Sequence, residues 1–441
     1  MKTVCKYILG MSLLAFPVAA QVPADSVLNL SLSACRTMAL ESSDAVKTAD
    51  NMLRQAELDK EIAFTAYLPN FSGSAGVLYL LEEPDMMGMS MSMKGTYVAG
   101  INLVQPLYAG GKIRAGNKLG TIGRECAEEN ARLERMQTIA DADNAYWTYV
   151  AVRRKVAMLD SYMQLMDTLL AQTERSVSAE MVTNDDLLRI KAKRSEILYQ
   201  RQKAFNGLEL CRLSLCNAIG VDFGSRIVPT DTVLEIRMPS SLDSSIDNRP
   251  ELKLLQKNVE VQEQQIKVTR ADFLPSLALS AGYMYFGNVK MNGAATGPNG
   301  EMIPFSQSFD SGYTSAMATL SIPIFHWGEG AKKVKKAKLE RENAQLDLHE
   351  KSRLMTIEAE QAVRNLSDSY GMVETSRLAL EQAEASLRTV RNRYGAGMAT
   401  LTDLLDAQSQ WQQNLSNYIE AQTQFKINET EYLRVTGKLD L

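Results

Sequence analysis

A chain of 441 residues with 45% hydrophobic and 23% charged residues has the balance of a folded protein, which excludes wholesale disorder. Its net charge of −4 excludes the basic footprint of a nucleic-acid-binding protein. Twelve prolines and 7% aromatics suit long helices better than an all-β fold.

The N-terminus has the three parts of an export signal: Lys2 and Lys6, an apolar run from Tyr7 to Phe16, and the small residues Val18-Ala19-Ala20. The apolar run is too short to span a membrane. The expected signal peptide is 1–20, and mass spectrometry of the mature protein is expected to find Gln21 first; retained Met1 would overturn this. Cys5 precedes the apolar core, so a lipid-anchored product is not expected. No later stretch approaches the length of a membrane-spanning helix, while a closed β-barrel stays allowed. The spacing of Cys35, Cys126, Cys211 and Cys216 fits no metal site. Free buried thiols are the favoured reading, and a bridge from Cys35 to Cys211 or Cys216 stays open.

The chain repeats itself. Leu68-Pro69 recurs as Leu274-Pro275 at an offset of 206 residues. Pro106, Gly111, Met181 and Gly220 recur as Pro323, Gly328, Met398 and Gly437 at an offset of 217. Each half begins with a polar helical pattern, 36–66 and 248–272. A pair of strands follows: Phe71 to Leu81 with Tyr97 to Pro106, then Leu277 to Phe286 with Tyr313 to Ile324. Tyr97, Ala99, Ile101 and Leu103 share one strand face. The segments between, 82–96 and 287–312, are rich in turn residues and read as loops.

Next comes a long helix in each half, 112–178 and 329–394. Tyr149, Val152, Val156, Leu159, Met163, Met166 and Leu170 step by three and four, as do Leu366, Ser369, Val373, Ser376, Leu380, Ala383, Leu387 and Val390. That is coiled-coil spacing. Each helix would be about 100 Å long. The shorter helices 36–66 and 184–218, stacked end to end, would match it.

A glycine-broken turn closes the second long helix: Tyr394-Gly-Ala-Gly-Met-Ala-Thr-Leu-Thr-Asp-Leu-Leu-Asp-Ala407. Thr400 or Thr402 would cap the new helix, with Asp403 in its first turn. Asp403 and Asp406 fall on one face. The first half holds a twin, with Met181 for Met398, Asp186 for Asp403 and Leu187-Leu188 for Leu404-Leu405. Asp186 has Arg189 three residues on, a candidate internal pair. The turns expose Ala179, Met181, Gly395, Gly397 and Met398, which makes them candidate partner contacts.

Four strands cannot close a barrel, and an open edge in lipid is not viable. An exported chain with such strands closes a barrel only with other copies, and three copies give about twelve strands. The competing fold packs the strands as a small soluble sheet against the helices.

These features resemble the TolC-type outer-membrane efflux proteins. The likeness rests on Asn248-Arg-Pro-Glu-Leu252, Phe273-Leu-Pro-Ser-Leu277, Gln105-Pro-Leu-Tyr-Ala-Gly-Gly111, Ala145-Tyr146 and Thr400-Leu-Thr-Asp-Leu-Leu-Asp-Ala407, and it covers nearly all of the mature chain. It implies an α+β membrane protein: a homotrimer with a twelve-stranded barrel, four strands per chain, in outer-membrane lipid, continued by a coiled-coil helical barrel in the periplasm. The implied division is a first repeat over 21–220, a linker over 221–247 and a second repeat over 248–441. It also implies docking of the turns near 179–183 and 395–399 on a periplasmic adaptor and inner-membrane pump. Asp403 and Asp406 correspond to the family's pore-narrowing aspartates. Tyr394 corresponds to a tyrosine that helps hold the tip closed, and Tyr394 and Asp186 are the candidate closed-tip contacts. Ala399 stands where some members carry a locking arginine, and Phe325-His-Trp-Gly328 departs from the usual acidic and glycine pattern.

The sequence shows no catalytic constellation, phosphate loop or cofactor motif. The two histidines, His326 and His349, lack neighbours at zinc-ligand spacing. The first hairpin segment holds Met86, Met87, Met89, Met91 and Met93, thioethers that suit a soft metal such as Cu(I) or Ag(I) or simply extend a strand. Lys332, Lys333, Lys335, Lys336 and Lys338 form either a solvated face or a contact to phosphate headgroups. Two functions follow: a passive export duct with an adaptor and pump, or a periplasmic coiled-coil scaffold without a pore. No enzyme is expected.

Overall fold

A computed structural model describes residues 27–439 except 83–84, 87–88, 181–182, 232–234, 240, 297 and 299–300. The signal segment, Met87 and Met181 therefore lie outside the described residues, as do the side chains of Met86, Met89 and Met91. In order the elements are β1 (Val27–Leu30), α1 (Leu32–Ser42), α2 (Asp44–Thr65), β2 (Asn70–Tyr79), β3 (Asp85–Met86), β4 (Met89–Ser92), β5 (Lys94–Ala109), α3 (Lys112–Ser178), α4 (Asn184–Ile219), β6 (Arg226–Pro229), α5 (Pro250–Ala271), β7 (Ser276–Thr296), β8 (Met302–Ser321), α6 (Glu329–Gly395) and α7 (Leu401–Val435). Two units divide the chain. One takes the described residues up to Asp44, Arg135–Ser244 and those from Glu360; the other takes Ala45–Glu134 and Ser245–Ala359.

In the second unit the long strands lie in the order β2-β5-β7-β8, all antiparallel, with β4 added on β7 and β3 on β4. Residues opposite one another in an antiparallel ladder share a face. The register therefore puts Phe71, Val77, Tyr97, Ile101, Leu103, Leu279, Tyr283, Tyr285 and Leu320 on one face. The other face carries Ser72, Ser74, Asn102, Ser280, Ser315 and Thr319, with Met284, Tyr313 and Met317 among them. The stretches 70–79, 96–105, 277–286 and 311–320 contain no charged residue. Both outer edges, on β2 and β8, lack a partner strand among the described residues.

The second hairpin differs from the sequence expectation. The segment 287–312 reads as a loop, yet β7 and β8 run 21 and 20 residues and pair through most of it. A register shift between Phe286 and Val289 absorbs the turn-forming residues. Asn288 takes φ +61°, its N–H donates to Asp310 Oδ1 at 2.8 Å, and its side-chain amide donates to the Gly95 carbonyl at 3.1 Å. A bulge thus continues the ladder where glycine and asparagine suggest an end.

The first unit holds the coiled-coil seams. Tyr149, Val156, Leu159 and Met166 are buried on α3, and Leu366, Ser369, Val373, Leu380 and Ala383 on α6. The expected helix 36–66 is broken at Ser43, whose N–H closes α1 on the Ala39 carbonyl. β1 and β6 form a short parallel pair. Tyr146 ties it down by donating to the Leu30 carbonyl at 3.1 Å and to Asp231 Oδ2 at 2.9 Å, and Tyr149 by donating to the Ile227 carbonyl at 2.8 Å. Cys35, Cys126, Cys211 and Cys216 are free thiols, and burial pushes the Cys35 thiol up to about 12. No helix among the described residues is long and apolar enough to cross a membrane.

Candidate functional site

The candidate site is the pair of turns within the first unit. α6 ends by folding back on itself: the Ala396 N–H donates to the Asn392 carbonyl at 3.1 Å, Gly397 to Tyr394 at 3.0 Å and Met398 to Arg393 at 2.8 Å. Gly397 holds φ +74°, the left-handed conformation that ends a helix with least strain on glycine. The Arg393 guanidinium donates to the Met398 carbonyl at 3.2 Å and fastens the turn.

Thr400, not Thr402, is the cap of α7. Its hydroxyl accepts from the Asp403 N–H at 3.1 Å and donates to Asp403 Oδ2 at 2.8 Å, while its own N–H donates to Asp403 Oδ2 at 2.9 Å. This is a reciprocal capping box with aspartate in the third position. The Thr400 donors, and the charge of Arg393, hold the Asp403 carboxyl below the usual aspartate range. Leu401, Leu404 and Ala407 are buried, so Asp403 and Asp406 project together from the exposed face. Below them Tyr162, Met166, Leu169, Ile190 and Ile197 pack with Leu401 and Leu404, and Tyr394 lies partly buried against this cluster.

The first-half turn is built alike. The Ala179 N–H donates to the Arg175 carbonyl at 3.1 Å, Glu180 stands at φ +57°, and Thr183 caps α4 by accepting from the Asp186 N–H at 3.4 Å. The expected pair of Asp186 with Arg189 does not form. Asp186 accepts from the Thr183 hydroxyl at 3.3 Å, and Arg189 instead reaches Asp185 Oδ2 at 2.9 Å. On a helix Arg189 faces the residue four back as readily as the one three back, and the cap already occupies Asp186. Arg189 also donates to the Thr402 hydroxyl at 3.2 Å, a link between α4 and α7 that the sequence does not announce. No hydrogen bond joins Tyr394 to Asp186 among the described residues. Ala179, Gly395, Gly397 and Met398 are exposed, Met398 to 66%. No group of three or more histidine, cysteine or acidic side chains that could hold a metal occurs among the described residues.

A sequence profile of outer membrane efflux proteins matches residues 36–204 and 241–438, most of the chain. The chain belongs to the outer membrane efflux protein family. Its place is accordingly the outer membrane. Among relatives of this family, the outer membrane protein OprJ of Pseudomonas aeruginosa is 22% identical over 315 residues, covering 66% of this chain and 61% of OprJ. AprF of the same organism, an alkaline protease secretion protein, is 21% identical over 323 residues, covering 71% of this chain and 64% of AprF. The matches thus span less than two thirds of either relative. The outer membrane protein VceC of Vibrio cholerae has the same fold, with a TM-score of 0.75 at 18% identity over 92% of this chain and 96% of that one.

Proposed function

We propose that this protein is the outer-membrane channel component of a tripartite efflux or type I secretion system. In this reading it is a passive duct, and an inner-membrane pump with a periplasmic adaptor supplies the energy and the cargo. The observation that carries the proposal is the set of four long strands, with an apolar face, charge-free central stretches and two outer edges that lack a partner strand among the described residues. Such edges in lipid must be paired. Three copies joined β2 to β8 would close a barrel of about twelve strands, within the range of outer-membrane barrels. The coiled-coil seams of α3 and α6 would then build the helical barrel, from two repeats over 21–220 and 248–441 joined by the linker 221–247. A pore-free scaffold would leave both edges and the apolar face without a function. The test is single-channel conductance of the purified protein in a planar bilayer, together with its oligomeric state. A monomer without channels would overturn the reading.

The exposed turns at 179–183 and 395–399 would dock the adaptor. Gly397→Glu forces a side chain onto a left-handed residue and adds charge at the surface of the turn. Export is expected to fall at least tenfold, with membrane insertion and oligomer unchanged. Export at the parental rate, measured as tolerance or secreted product, would remove these turns from the docking surface.

A further inference from the structure

The second unit carries a basic site that the channel reading does not use. A cavity of about 850 Å³ lies between the start of α3 and the end of α5, lined by Arg114, Lys118, Lys267 and Arg270 with the polar Asn117 and Gln264. A second, of about 630 Å³, lies between α5 and α6; it shares Arg270 and Leu274 with the first and adds Lys335 and Lys338. Six cations thus line the two cavities, and no carboxylate does. Arg114, Lys118, Lys267, Arg270, Lys335 and Lys338 form no ion pair among the described residues. Three acids near them pair with other cations: Asp272 with Lys112 at 2.8 Å, Glu125 with Lys257 at 2.9 Å and Glu329 with Lys333 at 2.6 Å. Like charges held together without an ion-pair partner repel, so this arrangement costs stability until an anion fills it. The first turn of α3 carries no acidic residue and directs its free N–H groups to the same end.

The cavities adjoin the ends of the strands. Gly110 and Gly111 directly follow β5, and Leu274 stands just before β7. An exposed aromatic rim lies at the same end of the sheet: Trp327 is 85% exposed and meets Phe325 edge-on with ring centroids 5.0 Å apart. Aromatic side chains next to unpaired lysines and arginines match the boundary where a bilayer passes from acyl chains to phosphates.

We propose that the two cavities form one anion site that takes the phosphate of an anionic phospholipid at the helix-side rim of the sheet. The phosphate chemistry stands on the unpaired cations. The lipid as its source rests on the outer-membrane reading above.

The test uses the full-length protein purified in neutral detergent, with phosphatidylglycerol as probe and native mass spectrometry as readout. The wild type is expected to retain phosphatidylglycerol over phosphatidylcholine. Removing three cations together, Lys118→Gln with Lys267→Gln and Arg270→Gln, is expected to weaken retention by about 100-fold, the scale for three cations near an anionic surface. The charge-conserving set Lys118→Arg, Lys267→Arg and Arg270→Lys is expected to keep it, which separates loss of charge from misfolding. Equal retention by the wild type and the neutral variant would overturn the site. Protection from heat by inorganic phosphate at constant ionic strength, without lipid retention, would overturn the lipid source and leave a free-anion site. Channel conductance of the wild type is measured alongside, so failure of the channel reading is scored separately.

Discussion

Asp143→Ala is expected to destabilise the protein by about 3 to 5 kcal/mol, the scale of a buried ion pair broken from one side. The Asp143 side chain is fully buried. Its Oδ1 accepts from Arg36 Nε at 2.8 Å, and its Oδ2 accepts from Arg36 Nη2 at 2.6 Å and from the Thr430 hydroxyl at 2.8 Å. One carboxylate thereby fastens α1 and α7 to α3. The paired guanidinium is held above its ordinary range, chiefly by its hydrogen bonds to Asp143. Alanine leaves Arg36, 19% exposed, without its ion-pair partner. The measurement is the denaturant midpoint for loss of helical circular dichroism in detergent, at fixed protein concentration because assembly shifts the midpoint. The double variant Asp143→Leu with Arg36→Met is expected to recover most of the loss, since a well-packed apolar pair can replace a buried salt bridge. An unchanged midpoint for Asp143→Ala would show that the bridge does not bind these helices together.

What could be read from the sequence follows the range of the forces involved. The heptad seams and the absence of proline set α3 at Lys112–Ser178, and the capping threonines set the starts of α4 and α7. These are local signals, since a helix records its buried face every three or four residues. The strand alternation from Tyr97 to Leu103 is local in the same way. The far half of the second hairpin is not, because a ladder partner can hold Gly293 and Asn292 in a strand that neither favours alone. Asp143 lies 107 residues from Arg36 and 287 from Thr430, and nothing in its neighbourhood marks it as paired. The cations of the basic cavities come from three helices and show in the sequence only as the lysine run of α6. At the turns the sequence gives the acidic residues but not their partners. Arg189 reaches Thr402 across 213 residues, where Asp186 is the nearer choice on paper.

In the proposed channel, neutralising both Asp403 and Asp406 is expected to weaken block by a trivalent cation from the periplasmic side by roughly 10- to 100-fold, while conductance persists. In a trimer, two exposed carboxylates one helical turn apart give two stacked rings of three charges. The capping box makes the choice of variant matter. Asp403 Oδ2 is the acceptor for both donors of Thr400, so alanine at this position removes a helix cap together with a charge. Asparagine keeps a side-chain oxygen for the cap and removes only the charge. The informative variant is therefore Asp403→Asn with Asp406→Asn, and the alanine pair is its comparison. Both are expected to lose block; only the alanine pair is expected to fray the start of α7, seen as faster amide exchange there. Acid should mimic part of this. Because the Asp403 carboxyl lies below its ordinary range in the folded chain, its capping contribution is fully present above the unfolded aspartate pKa and is lost as pH falls through the lower folded value. The cap and the Asp403 ring rest on the same carboxylate, so acid is expected to weaken block together with the cap. Unchanged block in the asparagine pair, with channels still forming, would place the constriction elsewhere. In that case Arg189 and Thr402, which join α4 to α7 beside the rings, are the first residues to test.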